Sequence, residues 1–380
     1  MEILEPLSGD AFAPETTYLN TSGCGLLPRR AVDAIARLAA ENAAGTREGA
    51  GGFDALAAAR ASFARLVGVG ADRVALGSSV SVHVALIAHS LPAGAEVLAP
   101  EGEFSSVVQP FAVRGDLKMR YVPLESLAEE VRPGTALVAF SSVQSVDGRV
   151  ADLAAVRAAA AAHGARTLLD ASQSAGWLPL DAGAYDYTVT AGFKFLTCPR
   201  GTSFLTVTEE AQEGLAALHS GWFAAEDLSD NYGPVRALAG TARRYDEPAS
   251  FLSYHAAAES LAGLEAVGVD AVHAHDLALA GRLRAGLAEL GHGVVAPDSA
   301  IVAVPGLGGK QPELLRIEPD EVGVGGGTAS SSSRHRREAV HSRRRMLRLP
   351  PEGSQPCIEA IVRRGAAQTP LLCRSCRQPG

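Results

Sequence analysis

Between residue 18 and about residue 304 the chain alternates short apolar runs with longer segments of helical period. Runs rich in Val, Leu, Phe and Thr at 73–76, 96–98, 120–122, 136–140, 167–169, 187–190, 203–207 and 300–304 predict strands. Stretches at 29–44, 54–66, 153–163 and 253–264 predict helices between them. Within the third, residues 156–163 are nearly all helix formers and stop at Gly164, a natural C-cap. Alternation on this scale predicts an α/β fold around a mostly parallel sheet. Such sheets bind ligands at the carboxyl ends of their strands, so polar residues just after the strand runs are the candidates for chemistry.

Beyond residue 316 the pattern stops. Residues 317–380 contain no aromatic residue and no lysine, yet hold 11 of the 31 arginines and three of the five cysteines. This segment carries a surplus of five positive charges, while the whole chain is at −8. SSSSRHRR and HSRRRMLR have neither a helix nor a strand period. A basic, disordered interaction tail is one reading, and a zinc or redox module at Cys373 and Cys376 is another. The favoured reading is a shifted frame that has replaced the original C-terminus, since out-of-frame text from a GC-rich gene tends to be rich in Arg, Ser, Gly and Pro.

Composition narrows the class. With 380 residues, 47% apolar and 20% charged, the chain can bury a sizeable core, which excludes a disordered, collagen-like or small disulfide-stapled protein. No run approaches 18 uninterrupted apolar residues, so no membrane span is predicted. MEILEPLSGDAF lacks a basic n-region, so no signal peptide is expected, and an odd number of cysteines fits a reducing cytoplasm. Only Lys118, Lys194 and Lys310 can supply a lysine amine.

Four segments carry candidate chemistry. In LLDASQSAG, Asp170 ends a strand, where its carboxylate can reach a ligand crevice or simply cap the next turn. In YTVTAGFKFL, Lys194 lies among Gly192, Phe193 and Phe195; desolvation there would lower its pKa and make the amine a better nucleophile. In RVALGSSVSVH, a strand is followed by Gly77, Ser78 and Ser79 and then a helix, either a phosphate cradle or a plain Ser N-cap. In EVLAPEGEF, Phe104 follows another strand, as core or as a ring over a planar cofactor. A Schiff-base lysine, a strand-end carboxylate, a phosphate cradle and a stacking ring together fit pyridoxal 5'-phosphate. His273 and His275 offer no metal-ligand spacing, and no metal site is expected.

At these residues the sequence resembles the class V aminotransferases, the fold type I pyridoxal-phosphate group that includes cysteine desulfurases, selenocysteine lyases, isopenicillin N epimerases and kynureninases. The resemblance runs from YLNTSGCGLLPRRAVDAI through Gly77-Ser78-Ser79 and VQSVDGRVADL to DASQSAG and AGFK, and ends near residue 304. It implies that Lys194 forms the internal aldimine and that Asp170 pairs with the pyridine nitrogen. Gln173 would face O3′, Ser78 and Ser79 would bind phosphate with Thr190 as a weaker candidate, and Phe104 would stack on the ring. Desulfurases usually carry His at the positions of Phe104 and Phe193. Trp222, Arg243 and Arg244 match regions near the family's active site and dimer interface, with structural roles as good an expectation as functional ones.

The implied organisation is an N-terminal segment at 1–30, a large cofactor-binding domain at 31–250, part of a smaller α+β domain at 251–316, incomplete at its C-terminal side, and the irregular tail at 317–380. The expected protein is a homodimeric enzyme acting on a small amino acid or amine, with neither nucleic acid nor membrane as partner. A cysteine desulfurase or selenocysteine lyase is the alternative, weakened because no loop cysteine motif follows residue 304. An inactive relic with an altered C-terminus is a second alternative. A nicotinamide enzyme is a distant one, because Gly323-Val324-Gly325-Gly326-Gly327 does not sit between a strand and a helix.

Overall fold

All eight predicted strands are present, shifted by a residue or two at their ends. In this computed structural model the described residues are Leu7, 11–46, 52–295, 298–305 and 357–359. The chain begins with helices α1 (Arg29–Ala44) and α2 (Phe53–Leu66), followed by β1 (Val74–Gly77), α3 (Val80–Ser90), β2 (Glu96–Pro100), α4 (Ser105–Ala112) and β3 (Lys118–Val122). Next come β4 (Thr135–Ser141), α5 (Leu153–His163), β5 (Arg166–Asp170), β6 (Tyr187–Ala191), β7 (Ser203–Val207) and the short α6 (Glu209–Gln212). The long α7 (Phe251–Val267) and α8 (Val269–Glu289) precede β8 (Ile301–Ala303), and β9 (Cys357–Glu359) lies in the tail.

Strands β1 to β7 form one sheet in the order β1-β7-β6-β5-β4-β2-β3. The run from β3 to β6 is parallel, and β7 is antiparallel to both β6 and β1. The apolar strand runs follow from this placement: β1, β6 and β7 are buried at every position, as a sheet covered on both faces requires. β3 is the edge and keeps Tyr121 exposed.

Two layers cover the sheet. On one face Leu168, Val189, Ala191 and Leu205 pack with α3 and α4 through Val84, Ile87, Val107 and Phe111. On the other, Leu76 and Phe204 pack with α2 and α7, and Phe140 and Leu169 pack with α5. Phe63 stacks on Phe204 with ring centroids 4.1 Å apart, and removing either ring would cost about 3–5 kcal/mol. α7 therefore belongs to the sheet's outer layer as well as leading into α8. The α5 caps follow the sequence: Asp152 accepts from the Ala155 N–H, and Gly164 turns the chain out at φ 68°.

β8 lies beside the sheet, with Val302 and Val304 against Ala280 and Leu287 of α8 and Ile301 against Val143, Trp177 and Phe195. Within the stretch 317–380 read as irregular, Cys357–Glu359 forms β9 and pairs antiparallel with β8, giving that edge a hydrogen-bonding partner. Cys373 and Cys376 lie outside the described residues. Among the described residues no helix is long and apolar enough to cross a membrane.

Candidate active site

The strand register brings three separate connections to one edge of the sheet. Ser203, which starts β7, pairs with Gly77 at the end of β1 on one side and with Ala191 at the end of β6 on the other. The Ser78–Ser79 turn, the arm carrying Lys194 and the turn leading into β7 all emerge there. Asp170 ends β5 next door, opposite Val189 of β6 and Ser141 of β4. Leu168 is in the α3/α4 core, so Asp170, two residues on, faces the same layer.

Asp170 is 4% exposed and Lys194 7% exposed. Burial pushes the Asp170 carboxyl above the ordinary carboxylate range, while the Lys194 charge and the Ser172 N–H, which donates to Oδ1 at 2.7 Å, pull it down. Lys194 Nζ lies 5.2 Å from the centroid of the half-exposed Phe104 ring. Gln173 is buried: its amide donates to the Ser22 carbonyl at 3.2 Å and to Ser145 Oγ at 2.9 Å, and its Oε1 has no partner. Gly25 completes this wall by donating to the Phe193 carbonyl at 2.8 Å. The structure thus brings together Asp170, Lys194, Phe104 and Gln173.

The phosphate candidates divide. Ser79 is the N-cap residue of α3 in extended conformation, but its side chain caps no N–H, which leaves first-turn donors for a ligand. Ser78 Oγ donates to Glu247 Oε2 at 2.6 Å, so a carboxylate already occupies this hydroxyl. Thr190 pairs with Phe204 and points, opposite to Val189 and Ala191, into the layer of α2 and α7. Its hydroxyl is buried there without a partner and is not brought to the Lys194 cluster.

Several supporting residues were not singled out in the sequence. Glu103 Oε1 accepts from the Phe104 N–H and Ser141 Oγ at 2.6 Å each, and Oε2 from the Ser141 N–H at 2.8 Å and Gln144 Nε2 at 3.0 Å. This carboxylate ties the residue that bears the ring to the neighbour of Asp170. It sits just past β2, and the strand-end rule that selected Asp170 would have found it. The other supports span too much sequence to be visible. The buried Asp246 takes both arms of Arg60, 186 positions away, at 2.5 and 3.1 Å, and also the Leu76 N–H at 2.8 Å. Tyr254 Oη accepts from the Gly77 N–H at 3.0 Å and lies within 2.8 Å of the Gly77 and Ser203 carbonyls. His83 Nε2 meets Ser203 Oγ at 3.0 Å, and burial pushes the imidazole down to about 4, so it is neutral.

The remaining candidates have structural partners. Arg243 donates to the carbonyls of Phe223 and Glu226, and Arg244 to that of Ala239. Trp222 packs edge-on against Phe53 and Phe223. His275 is buried with an unpartnered Nε2, and His273 stacks on Trp177, so neither is a solvated surface histidine.

These residues fit pyridoxal phosphate. A buried carboxyl can pair with a ring nitrogen, a buried amine stands at the same edge, an aromatic face is open beside it, and α3 presents an uncapped start. The unpartnered Gln173 Oε1 adds a polar atom that such a ligand would meet.

Comparison with known proteins agrees with the geometry. The sequence pattern of the aminotransferase class-V family matches residues 17–346, past residue 304 where the quoted motifs end. An uncharacterised aminotransferase of Bacillus subtilis, YcbU, is 30% identical over 57% of this chain and 60% of its own. A kynureninase of Deinococcus radiodurans is 30% identical over 57% and 58% of the two chains, and an isopenicillin N epimerase of Streptomyces clavuligerus over 59% and 61%. The matches thus span about three fifths of the length of these curated relatives. Among solved structures, the cystine C–S lyase C-DES superposes with a TM-score of 0.68 at 23% identity, covering 76% of this chain and 84% of that one. A cysteine desulfurase of Thermococcus onnurineus superposes at 0.64 with 22% identity over 77% and 80%. At those identities the likeness is one of fold.

Proposed function

The chain belongs to the class-V aminotransferase family, and from that premise we propose that it is a pyridoxal-phosphate enzyme acting on the α-carbon of an amino acid or amine. The observation that carries the proposal is the buried pair at one sheet edge, Asp170 and Lys194, with Phe104 5.2 Å from the amine. When bound, the cofactor supplies an electron-withdrawing ring that accepts the electron pair left at the substrate α-carbon.

The chain's own residues supply the rest. Asp170 holds a proton on the ring nitrogen, because a buried carboxylate favours the charged pyridinium beside it. Ser79 and the start of α3 take the phosphate, with Ser78 held by Glu247, and Gln173, whose amide N–H groups go to Ser22 and Ser145, offers Oε1 to the phenolic O–H. Phe104 would stack on the ring and carries no titratable group, so of these two residues only Lys194 can move a proton. With the cofactor and substrate in place, Lys194 Nζ would take the α-proton as general base, a role worth on the order of 10²–10⁴ in rate. Phe104 in place of the desulfurase His weighs against the desulfurase alternative. A homodimer, as the resemblance implies, completes the reading.

The test is the visible spectrum of purified protein with added pyridoxal phosphate, before and after borohydride, for wild type and Lys194→Ala. A band that borohydride fixes as a covalent adduct on Lys194, absent from the variant, is expected. No band in the wild type overturns the proposal.

A further inference from the structure

The phosphate end of this site has an unbalanced charge. A phosphate monoester brings about −1.5 to −2 charges, and the carboxylate of Glu247 already stands at the Ser78–Ser79 turn. His83, beside Gly77, is neutral. Arg60 is committed to Asp246, and Arg243 and Arg244 to backbone carbonyls.

Arg200 is differently placed. It lies in the turn that leads into β7, and β7 runs between β1 and β6, so this turn rises between the Ser78–Ser79 turn and the arm of Lys194. The turn is stapled in position: Cys198 donates to the Gly192 carbonyl at 2.9 Å, Gly192 to the Thr202 carbonyl at 3.0 Å, and Thr202 Oγ1 to the Pro199 carbonyl at 2.7 Å. The Arg200 carbonyl is held by Ser253 Oγ at 3.1 Å. Its guanidinium carbon sits 4.2 Å from the centroid of Phe193, the residue next to Lys194. Among the described residues no carboxylate lies within ion-pair distance of it. A guanidinium resting on a ring keeps its N–H donors at its rim, free to grip a tetrahedral anion by two bonds.

Resting on the reading above, we propose that Arg200, shelved on Phe193, is the cation that holds the cofactor's phosphate. Phe193 stands where desulfurases carry a histidine, and the pair Phe193–Arg200 returns a positive charge to that side of the site.

The experiment titrates the full-length apoprotein with pyridoxal phosphate and, separately, with pyridoxal, which has the aldehyde but no phosphate. Binding is read from the visible band of wild type, Arg200→Gln, Arg200→Lys and, as control, Arg37→Gln on the exposed side of α1. Arg200→Gln is expected to raise the Kd for pyridoxal phosphate about tenfold and leave that for pyridoxal unchanged, with Arg200→Lys between and the control like wild type. Equal Kd values for wild type and Arg200→Gln overturn the inference, and so does equal weakening of both aldehydes, which marks a structural role. A raised substrate KM at unchanged cofactor Kd also overturns it and assigns Arg200 to a substrate carboxylate. Wild type that binds pyridoxal phosphate while Arg200→Gln binds equally well sinks this inference alone; wild type that binds neither aldehyde sinks the functional reading with it.

Discussion

Gly25 stands so close to Lys194 that a Cβ added to it would lie 2.1 Å from the Lys194 carbonyl oxygen. The N-terminal segment is thereby docked on the arm that carries the amine, a contact open only to glycine. Gly25→Ala has to push that arm or the segment aside. The expected cost is about 1–3 kcal/mol of stability, as for other overpacked sites, with a smaller fraction of Lys194 trapped by borohydride. Gly281→Ala is the contrast: it adds a methyl in open space inside α8 and should stabilise the protein by about 0.5–1 kcal/mol. Urea unfolding of both variants checks the pair of signs.

Arg60 and Asp246 hold the end of β1 from below, since Asp246 Oδ1 also accepts the Leu76 N–H. Arg60→Met leaves Asp246 buried and unpaired, which should cost about 3–5 kcal/mol. Asp246→Asn keeps a polar group for Leu76 and removes the charge, so it should cost less. Denaturant midpoints that rank the two variants the other way would contradict this account of the pair.

The buried His83 and the half-buried Asp276 set opposite pH slopes on stability. His83 is pushed down to about 4 by burial. Below the unfolded value near 6.5 the unfolded chain takes a proton that the folded chain refuses, so stability falls as pH drops from 6.5 towards 4. Asp276 is pushed up to about 7, also by burial. Its folded form keeps a proton that the unfolded chain releases, so stability falls as pH rises from about 4 through 7. Each slope reaches at most about 1.4 kcal/mol per pH unit, and between pH 4 and 6.5 they oppose one another. Asp276→Asn should match wild type near pH 4 and exceed it at pH 8. His83→Asn should flatten the acid limb. Unfolding midpoints at pH 4, 6 and 8 resolve the two.

Asp170→Asn separates folding from chemistry. Burial raises the Asp170 carboxyl, so its ionisation weakens the apoprotein as pH rises through the folded value, and the amide removes that penalty. The apoprotein should unfold at equal or higher denaturant at pH 8, whereas turnover should fall on the order of 10²–10³-fold for want of a charge partner at the ring nitrogen. An apoprotein that collapses, or turnover that persists, would take Asp170 out of this role.

Much of the sheet was legible from the chain because its signals are local. A run such as TLLD or YTVT reports burial on both faces, and Gly164 after an alanine stretch reports a helix end, whatever lies beyond. The candidate residues Asp170 and Lys194 stand out for a related reason: each is a polar residue of telling type at or just past an apolar strand, and the topology of parallel sheets gathers such residues at one edge. Thr190 shows where that logic ends. It lies in the right strand, but the two-residue alternation, anchored by Ala191 against α3 and α4, turns its hydroxyl into the opposite layer.

The sequence by itself determined where strands β1 to β8 fall, and which residue types stand at strand ends, because backbone propensity and hydrophobic period act over a few neighbours; β9, in a stretch without strand period, was set by its pairing with β8. Only the tertiary structure decided that β7 enters antiparallel between β1 and β6, which sets Gly77, Ser203 and Ala191 in one row and brings the turns of Ser78, Lys194 and Arg200 side by side. It alone paired Arg60 with Asp246, gave Glu103 its four donors and set Tyr254 against Gly77. Those contacts come from strand order and register, which are settled by how whole layers bury their surfaces against one another.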